Sequence, residues 1–278
     1  LRGFRGIPVL KNGVRTDSQF QTASIQTDMM GVESIQVIKG SAAITQGVIT
    51  DLGNAGGVIN VVTKTPKFVN GGEVGVRLGS WGQVRPTFDV QTVLDSKNTI
   101  AFRLNGAYER ADNYRAIVSS NKVYINPSLE WRPDDKTTVT LELDYMNENR
   151  TPVTSTVNLA GADKEALYDM PYSKFLGFRE DNTNSKTLSY AARITRQLAD
   201  KISLRAAYFN SSYNVDNTST GLSALKSRPT DYNIKQRAIS RNLRDDKNST
   251  FQLDFVGKDV YTGSIKHTFQ VGFDYRIA

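Results

Sequence analysis

From about Gly72 to the end of the chain, apolar and polar side chains alternate with a period of two. Within Thr99–Glu109 the even positions are mostly apolar, whereas the odd positions include Arg103 and Asn105. A repeat of two is the side-chain period of a β-strand, because successive side chains point to opposite faces of the sheet. This part of the chain is therefore predicted to be all-β, with one apolar and one polar face on each strand.

The alternation predicts about nine strands of roughly 8 to 11 residues, the length with which a tilted strand crosses a bilayer. The segments that carry it are Val74–Leu78, Phe88–Leu94, Thr99–Glu109, Lys122–Arg132, Thr138–Met146, Leu188–Ile194, Ile202–Tyr208, Phe251–Phe255 and Ile265–Tyr275. We expect Leu104, Leu129, Leu143 and Leu204 to meet lipid. We expect Asn105 and Thr140 to face the lumen and to tolerate Arg far better than the lipid-facing leucines do.

The connections between these segments alternate in length. The short turns are Asp95–Asn98, Pro133–Asp135, Ala199-Asp200 and Tyr261–Ser264, and the hairpin Ser80–Gln83 is also short. The long polar loops are predicted at Ala111–Asn121, Asn147–Ser185 and Asp216–Lys247. Short turns at one end and long loops at the other are typical of outer-membrane barrels. Aromatic residues near the strand ends suit an interfacial girdle: Trp81, Tyr108, Trp131, Tyr145, Tyr208 and Tyr275.

Composition excludes several other classes. The 278 residues contain no Cys and one His, which excludes a zinc site of the usual Cys/His type and a Cys nucleophile. No apolar run reaches the roughly 18 residues of a membrane-spanning helix. His267 has no Ser and acid on a shared face, and Gly53–Gly57 lacks the Lys-Ser/Thr of a phosphate loop, so we predict no enzyme and no catalytic residue. A soluble β-sandwich remains the alternative, although long strands and unequal loops favour the barrel.

Residues 1–70 differ in residue pattern from the remainder of the chain. Two β-branched runs, Val32–Ile38 and Val58–Thr63, are bounded by glycines and predict strands of a compact mixed domain. Gly56-Gly57 precedes the second run and permits backbone conformations that are closed to residues with a Cβ. Glu33 and Lys39 are expected to pair with barrel-wall charges or with each other, or else to be ordinary solvated charges in the lumen. We therefore divide the chain into residues 1–70 and residues 71–278.

The stretches 31–41 (GVESIQVIKGS) and 56–66 (GGVINVVTKTP) resemble the plug-domain signature of TonB-dependent outer-membrane receptors. Arg2-Gly3-Phe4 and Asn12-Gly13-Val14-Arg15 are similar to a plug segment of the siderophore-receptor branch. The resemblance implies the C-terminal part of a small α+β plug, followed by about nine strands of a transmembrane barrel of about 22. A nine-stranded sheet leaves edges unpaired in lipid, so we expect this sequence to be a fragment of a longer chain.

The family implies a transporter in the bacterial outer membrane that imports a ferric siderophore. Its partners would be the ferric siderophore or another small ligand, the TonB energy-coupling complex, and outer-membrane lipid and lipopolysaccharide, with no nucleic acid. Iron would enter only within the transported chelate, so no resident cofactor and no metal site are predicted. The alternatives are an importer of a glycan or cobalamin, and a β-rich surface module for binding or adhesion.

The resemblance places ligand contacts at the plug apex. The candidates are Arg2, Phe4, Arg15, Asp17, Gln19, Thr45 and Gln46. Family members commonly have Leu-Tyr-Gly where this chain has Thr45-Gln46-Gly47, so Gln46 supplies a donor and an acceptor in place of an aromatic ring. Alternatively, the arginines pair with barrel-wall carboxylates and Thr45 and Gln46 cap a turn.

The net charge of +7 has two interpretations. Lumenal cations would attract an anionic chelate, because low-dielectric walls focus the field. Loop cations would instead meet lipopolysaccharide phosphates. The first group includes Arg2, Arg5, Arg15, Arg103, Arg193 and Arg205. The second group includes Arg179, Arg228, Arg237, Arg241 and Arg244.

Overall fold

The structure is a computed structural model that describes residues 9–15, 27–39, 57–152, 171–224, 227 and 235–277, with only the backbone of Arg15, Ala224 and Lys235. The described residues form two β-sheets, one of four strands and one of nine. We call them the small sheet and the large sheet.

The small sheet has the order β2-β1-β4-β3. Its strands are β1 (Val9–Lys11), β2 (Val14–Arg15), β3 (Val32–Ile38) and β4 (Val58–Thr63). β1 runs parallel to β4, and the other pairs are antiparallel. The two predicted β-branched runs are β3 and β4, so both strand predictions are confirmed.

Glycine is required at the start of β4. Gly57 has φ +119°, and a Cβ there would overlap the Ile38 carbonyl oxygen. In the part of the chain that the structure describes, the one helical turn is the 3-10 turn Met29–Gly31. The helical component expected for the first domain is therefore not among the described residues. None of the described helical segments is long and apolar enough to cross a membrane.

The large sheet is a continuous antiparallel meander in which every strand pairs with its neighbours in sequence. About nine strands were predicted, and the described residues form nine. They are β5 (Gly71–Gly79), β6 (Gln83–Val93), β7 (Ile100–Asp112), β8 (Ser119–Asp134), β9 (Thr137–Arg150), β10 (Asn182–Ala199), β11 (Ile202–Ala224), β12 (Lys235–Thr262) and β13 (Ile265–Ile277).

Several strands are longer than predicted, and the polar loop predicted at Asp216–Lys247 is wrong. β11 and β12 have 23 and 28 residues and pair without interruption from Ile202↔Gly257 to Ala224↔Lys235. The loop predicted at Ala111–Asn121 is also shorter than predicted and comprises only the residues between Asp112 and Ser119. The reason is that both faces of these extensions are largely polar, so the hydrophobic alternation ends while the backbone ladder continues.

Burial in the large sheet is the reverse of that in a soluble protein. On β9, the inward-facing Glu142 and Asp144 are 5% and 1% exposed, whereas the outward-facing Leu141 and Leu143 are 46% and 38% exposed. A sandwich would bury its apolar face and expose its polar face. The soluble sandwich is therefore excluded, and the outward face has the character of a surface in lipid.

The inward face is too crowded for the tolerance to Arg that was expected of it. Asn105 is fully buried and Thr140 is 8% exposed, so an Arg at either position would meet packed neighbours. The expectation that these two positions accept Arg is wrong for that reason. Thr195 lies on the same inward face of β10 and is exposed, which makes it a better test position.

We predict that Leu143→Arg destabilises the complete receptor by roughly 2 to 4 kcal/mol, because it places a charge in the bilayer core. Thr195→Arg, on the adjacent strand and the opposite face, is the matched control and should change stability far less. The free energy of unfolding in liposomes measures both. Equal costs at the two positions would contradict a lipid-facing outer surface.

The chain lacks Cys, so single cysteines can report its orientation. We predict that Ser227→Cys, between β11 and β12, reacts with a membrane-impermeant maleimide on intact cells. Asp200→Cys, in the turn between β10 and β11 at the other end of the sheet, should react only after the outer membrane is permeabilised. The reverse labelling pattern would invert the topology.

Candidate functional site

The small sheet lies against the polar face of the large sheet, and Lys11 is the centre of that contact. The Lys11 ammonium lies 2.9 Å from Asp144 Oδ2 and 3.9 Å from Glu142 Oε1. All three side chains are at most 4% exposed. Lys11 is on β1, whereas both acids are on β9, so the pair joins segments more than 130 positions apart.

Both acids accept further hydrogen bonds, although Asp144 Oδ1 has no hydrogen-bond partner among the described residues. Glu142 accepts hydrogen bonds from Thr63 Oγ1 (2.9 Å) and Asn12 Nδ2 (3.2 Å), and it lies 3.6 Å from Arg193. Asp144 Oδ2 also accepts from the Tyr124 hydroxyl at 2.8 Å. Two buried acids thus face two cations and several neutral donors, which is the arrangement that buried charges need.

A second group of charges forms around Asp28, which caps the 3-10 turn before β3. Its carboxylate lies 2.5 Å from Arg85 and 2.8 Å from Lys122, and it accepts from the Met30 amide at 2.9 Å. Burial by itself would raise the pKa of Asp28. The hydrogen bonds from Arg85, Lys122 and Met30 outweigh burial and hold that pKa below its ordinary value.

A third group links the end of β4 to β6 and β7. Arg103 makes two hydrogen bonds of 2.8 Å to Asp89, and Lys64 makes another of 2.8 Å. Arg103 also donates to the Thr65 carbonyl at 3.0 Å and lies 3.9 Å from Glu33. The expectation that Glu33 pairs with nearby charges is confirmed.

Among the described residues, apolar contacts between the first 70 residues and the large sheet form two small clusters, one of which packs Met30 against Tyr124 and Met146. Val14 packs with Ala207 and Phe209, which lie on the inward face of β11. Gly31 touches Tyr124 so closely that a Cβ would overlap the phenol oxygen, so glycine is required there for close approach. In the described part of the interface, charges and hydrogen bonds outnumber apolar contacts.

Almost all of the predicted ligand residues lie outside the described residues, so their role stays a prediction. Arg2, Phe4, Asp17, Gln19, Thr45 and Gln46 lie outside the described residues, as do Arg5, Arg228 and Gly56. Arg15 is placed by its backbone in β2. Three of the predicted lumenal cations are engaged with the protein: Arg103 with Asp89, Arg193 with Glu142, and Arg205 with Asp254 and the Asn12 carbonyl.

An open cleft of about 460 Å³ lies on the inward face of the strand extensions. Its lining residues are Arg150, Pro152, Thr183, Ser185, Tyr213, Val215, Asn217, Asn242 and Arg244. Its position beyond the ends of the predicted alternation explains why the sequence did not reveal it. Every second residue of β9 faces inward, and counting on from Glu142 and Asp144 places Arg150 on that face. This spacing is the sequence signal that could have indicated the cleft.

The described residues hold no group of three or more His, Cys, Asp or Glu side chains arranged to bind a metal ion. The polar side chains that line the cleft are those of arginine, asparagine, serine, threonine and tyrosine. The interface between the sheets joins two parts of the chain, and the cleft is open to a ligand.

Comparison with known proteins agrees with this architecture. No family model matches the chain. It is 28% identical over 251 residues to the metal-pseudopaline receptor CntO of Pseudomonas aeruginosa, covering 89% of this chain and 34% of that protein. It is 26% identical over 265 residues to the probable TonB-dependent receptor BfrD of Bordetella pertussis, covering 89% and 33%. The chain therefore spans about a third of the length of these relatives.

A solved structure shares the fold. The ferripyoverdine receptor of the outer membrane of P. aeruginosa, bound to ferripyoverdine, superposes with a TM-score of 0.82 at 17% identity, covering 99% of this chain and 36% of that one. The predicted barrel class and outer-membrane location are confirmed. The relatives are transport receptors and not enzymes.

We predict that Lys11→Met loosens the small sheet, because it leaves Glu142 and Asp144 buried with one cation fewer. Removing one partner of a buried pair costs roughly 3 to 5 kcal/mol. Hydrogen exchange of β1 and β4 in the complete receptor should accelerate accordingly, and Asp144→Asn in the same chain should restore part of the protection. Lys39→Met, at an exposed lysine just after β3, is the control. Equal exchange in the two single variants would contradict this role of Lys11.

Proposed function

We propose that this chain, a homologue of TonB-dependent siderophore receptors, belongs to an energy-coupled importer that takes a ferric siderophore or a related metal chelate across the outer membrane. Residues 1–70 contribute the C-terminal part of the plug. Residues 71–278 contribute the first strands of the barrel. The proposal extends to the whole receptor what this chain supports for about a third of it.

The observation that carries the proposal is the polar character of the contact between the two sheets. If the interface were apolar, separating the two sheets would expose apolar surface to water, at a free-energy cost of about 25 cal/mol per Å². The ion pairs of Lys11, Asp28 and Asp89 can exchange their partners for water instead. A polar interface thus permits the small sheet to move relative to the large sheet, while the outward face of the large sheet stays in lipid.

The relatives support the chemistry of the cargo. CntO is named for a metal-pseudopaline complex, and the superposed receptor is bound to ferripyoverdine. In this chain we propose that a wrapped chelate is recognised by hydrogen-bond donors and arginine, since it has no free metal to coordinate. Arg2, Phe4, Arg15, Asp17, Gln19, Thr45 and Gln46 remain the candidates at the plug apex.

The other partners follow from the location. The TonB energy-coupling complex is the proposed source of force on the plug. Outer-membrane lipid covers the outward face of the large sheet. Lipopolysaccharide phosphates are proposed to bind cations on that face that lie nearer the long loops than Tyr108 does. The exposed Arg110 and Lys186 lie on that face, in the strand parity of Tyr108 and Leu188.

The experiment is a binding isotherm of the complete receptor with an uncharged ferric tris-hydroxamate, an anionic ferric tris-catecholate, cobalamin and an oligosaccharide. We expect a ferric chelate to bind, and cells to take up its labelled iron only when TonB is present. Arg15→Gln combined with Gln46→Ala should weaken binding at least about tenfold, because charge-assisted hydrogen bonds are lost. Lys39→Gln is the control on the same domain.

Two results would contradict the proposal. Binding of cobalamin or the oligosaccharide alone would keep an importer but change its substrate class. Chelate binding with no TonB-dependent uptake would indicate a surface binding module instead of a transporter.

A further inference from the structure

Three Asn-Gly pairs occur in the chain, at positions 12–13, 70–71 and 105–106. In such a pair the glycine nitrogen can attack the amide carbon of the asparagine side chain, because the glycine has no Cβ to hinder the approach. The attack closes a succinimide ring and releases ammonia. Water then opens the ring to aspartate or isoaspartate, so the net change consumes one amide and one water and yields one acid and one ammonia.

The pair Asn12-Gly13 forms the turn between β1 and β2, with φ of 53° and 80°. The attacking nitrogen is engaged, because the Gly13 N–H donates to Asn60 Oδ1 at 2.8 Å. The Asn12 amide is engaged as well. Its Nδ2 donates to Thr63 Oγ1 at 2.6 Å, and its Oδ1 accepts from the Thr63 N–H at 3.0 Å. Both reacting groups are therefore bound to β4.

The large sheet also contacts this turn. Asn12 Nδ2 donates to Glu142 Oε2 on β9 at 3.2 Å. The carbonyl oxygen of Asn12 accepts from the Arg205 guanidinium on β11 at 2.8 Å. The turn is thus held by β4 on one side and by the large sheet on the other.

The other two Asn-Gly pairs have different surroundings. Asn105 is fully buried on β7. Asn70 is exposed at the junction of the two sheets, where its Oδ1 accepts from the Val93 N–H at 2.8 Å and from Thr92 Oγ1 at 3.0 Å. Its Nδ2 has no hydrogen-bond partner among the described residues. Asn70 is therefore an exposed reference for Asn12 within the same chain.

We propose that Asn12-Gly13 is a deamidation site whose conversion accompanies transport. While the small sheet is in place, β4 and the large sheet keep Asn12 an amide. When force on the plug parts β1 from β4, the Gly13 nitrogen loses its acceptor and the ring closure can begin. This inference rests on the proposed function for the source of that force.

The product of the conversion does not fit the position that Asn12 leaves. Asn12 presents an N–H donor to Glu142, whereas a carboxylate at position 12 would present an oxygen to Glu142 Oε2, now 3.2 Å from Asn12 Nδ2. The Glu142 side chain is 2% exposed, so water does not replace the lost donor or screen the two like charges. Deamidation therefore prevents the small sheet from returning fully to its place.

The first measurement follows the conversion by mass spectrometry of peptides from the complete receptor, kept in mildly alkaline buffer. Asn12 should convert at least about tenfold more slowly in the folded receptor than in the denatured one, because several hydrogen bonds must break first. Asn60→Ala should speed the conversion of Asn12 in the folded receptor and leave that of Asn70 unchanged. Equal conversion of Asn12 in the folded and denatured wild-type receptor would overturn the inference.

The second measurement compares non-growing cells that import a labelled ferric chelate with cells that lack TonB. We expect more converted Asn12 in the importing cells and equal conversion of Asn70 in both. Equal conversion of Asn12, despite iron uptake that depends on TonB, would overturn the link to transport. If uptake does not depend on TonB, the proposed function fails, whereas the folded-state measurement still decides whether Asn12 is a protected site.

The third measurement tests the consequence without any chelate. Asn12→Asp should accelerate hydrogen exchange of β1 and β4 in the complete receptor. Combining Asn12→Asp with Glu142→Gln exchanges the two groups, keeps the net charge and again places an N–H donor opposite a carboxylate, so exchange should slow. Wild-type exchange in Asn12→Asp, or no recovery in the double variant, would overturn the inference.

Discussion

The burial of a polar face is the constraint on which the rest of the structure depends. The large sheet turns Glu142, Asp144 and Asn105 inward and leaves Leu141 and Leu143 exposed, so its apolar face needs a non-aqueous surrounding and its polar face needs partners. The small sheet provides those partners. One alternation in sequence thus determines both where the membrane lies and what the interior can hold.

Buried charge also shapes the relation between the two sheets. Lys11, Asp28 and Asp89 are each matched by opposite charges across the interface, which fixes how the small sheet sits without a large apolar core. Such contacts specify position more than they add stability. An interface of this kind suits a small sheet that must stay in place at rest and still be able to move.

Sequence reasoning reached the strands whose pattern is repetitive and missed the contacts that depend on three dimensions. β3, β4 and the nine strands of the large sheet follow from β-branched runs and alternation. The extension of β11 and β12 was not predicted, because both of its faces are polar beyond Asn214 and apolar and polar residues no longer alternate there. The pairing of Lys11 with Asp144 joins distant segments, and only the seating of one sheet on the other brings them together.

A nitroxide scan along β9 from Val139 to Tyr145, in the complete receptor in liposomes, tests the central claim most directly. The account predicts that molecular oxygen, which concentrates in lipid, quenches labels at Val139, Leu141, Leu143 and Tyr145, while labels at the even positions are shielded from it. A water-soluble nickel chelate should not reach the labels at Leu141 and Leu143. Nickel access at Leu141 and Leu143 would contradict a sheet whose apolar face lies in the membrane.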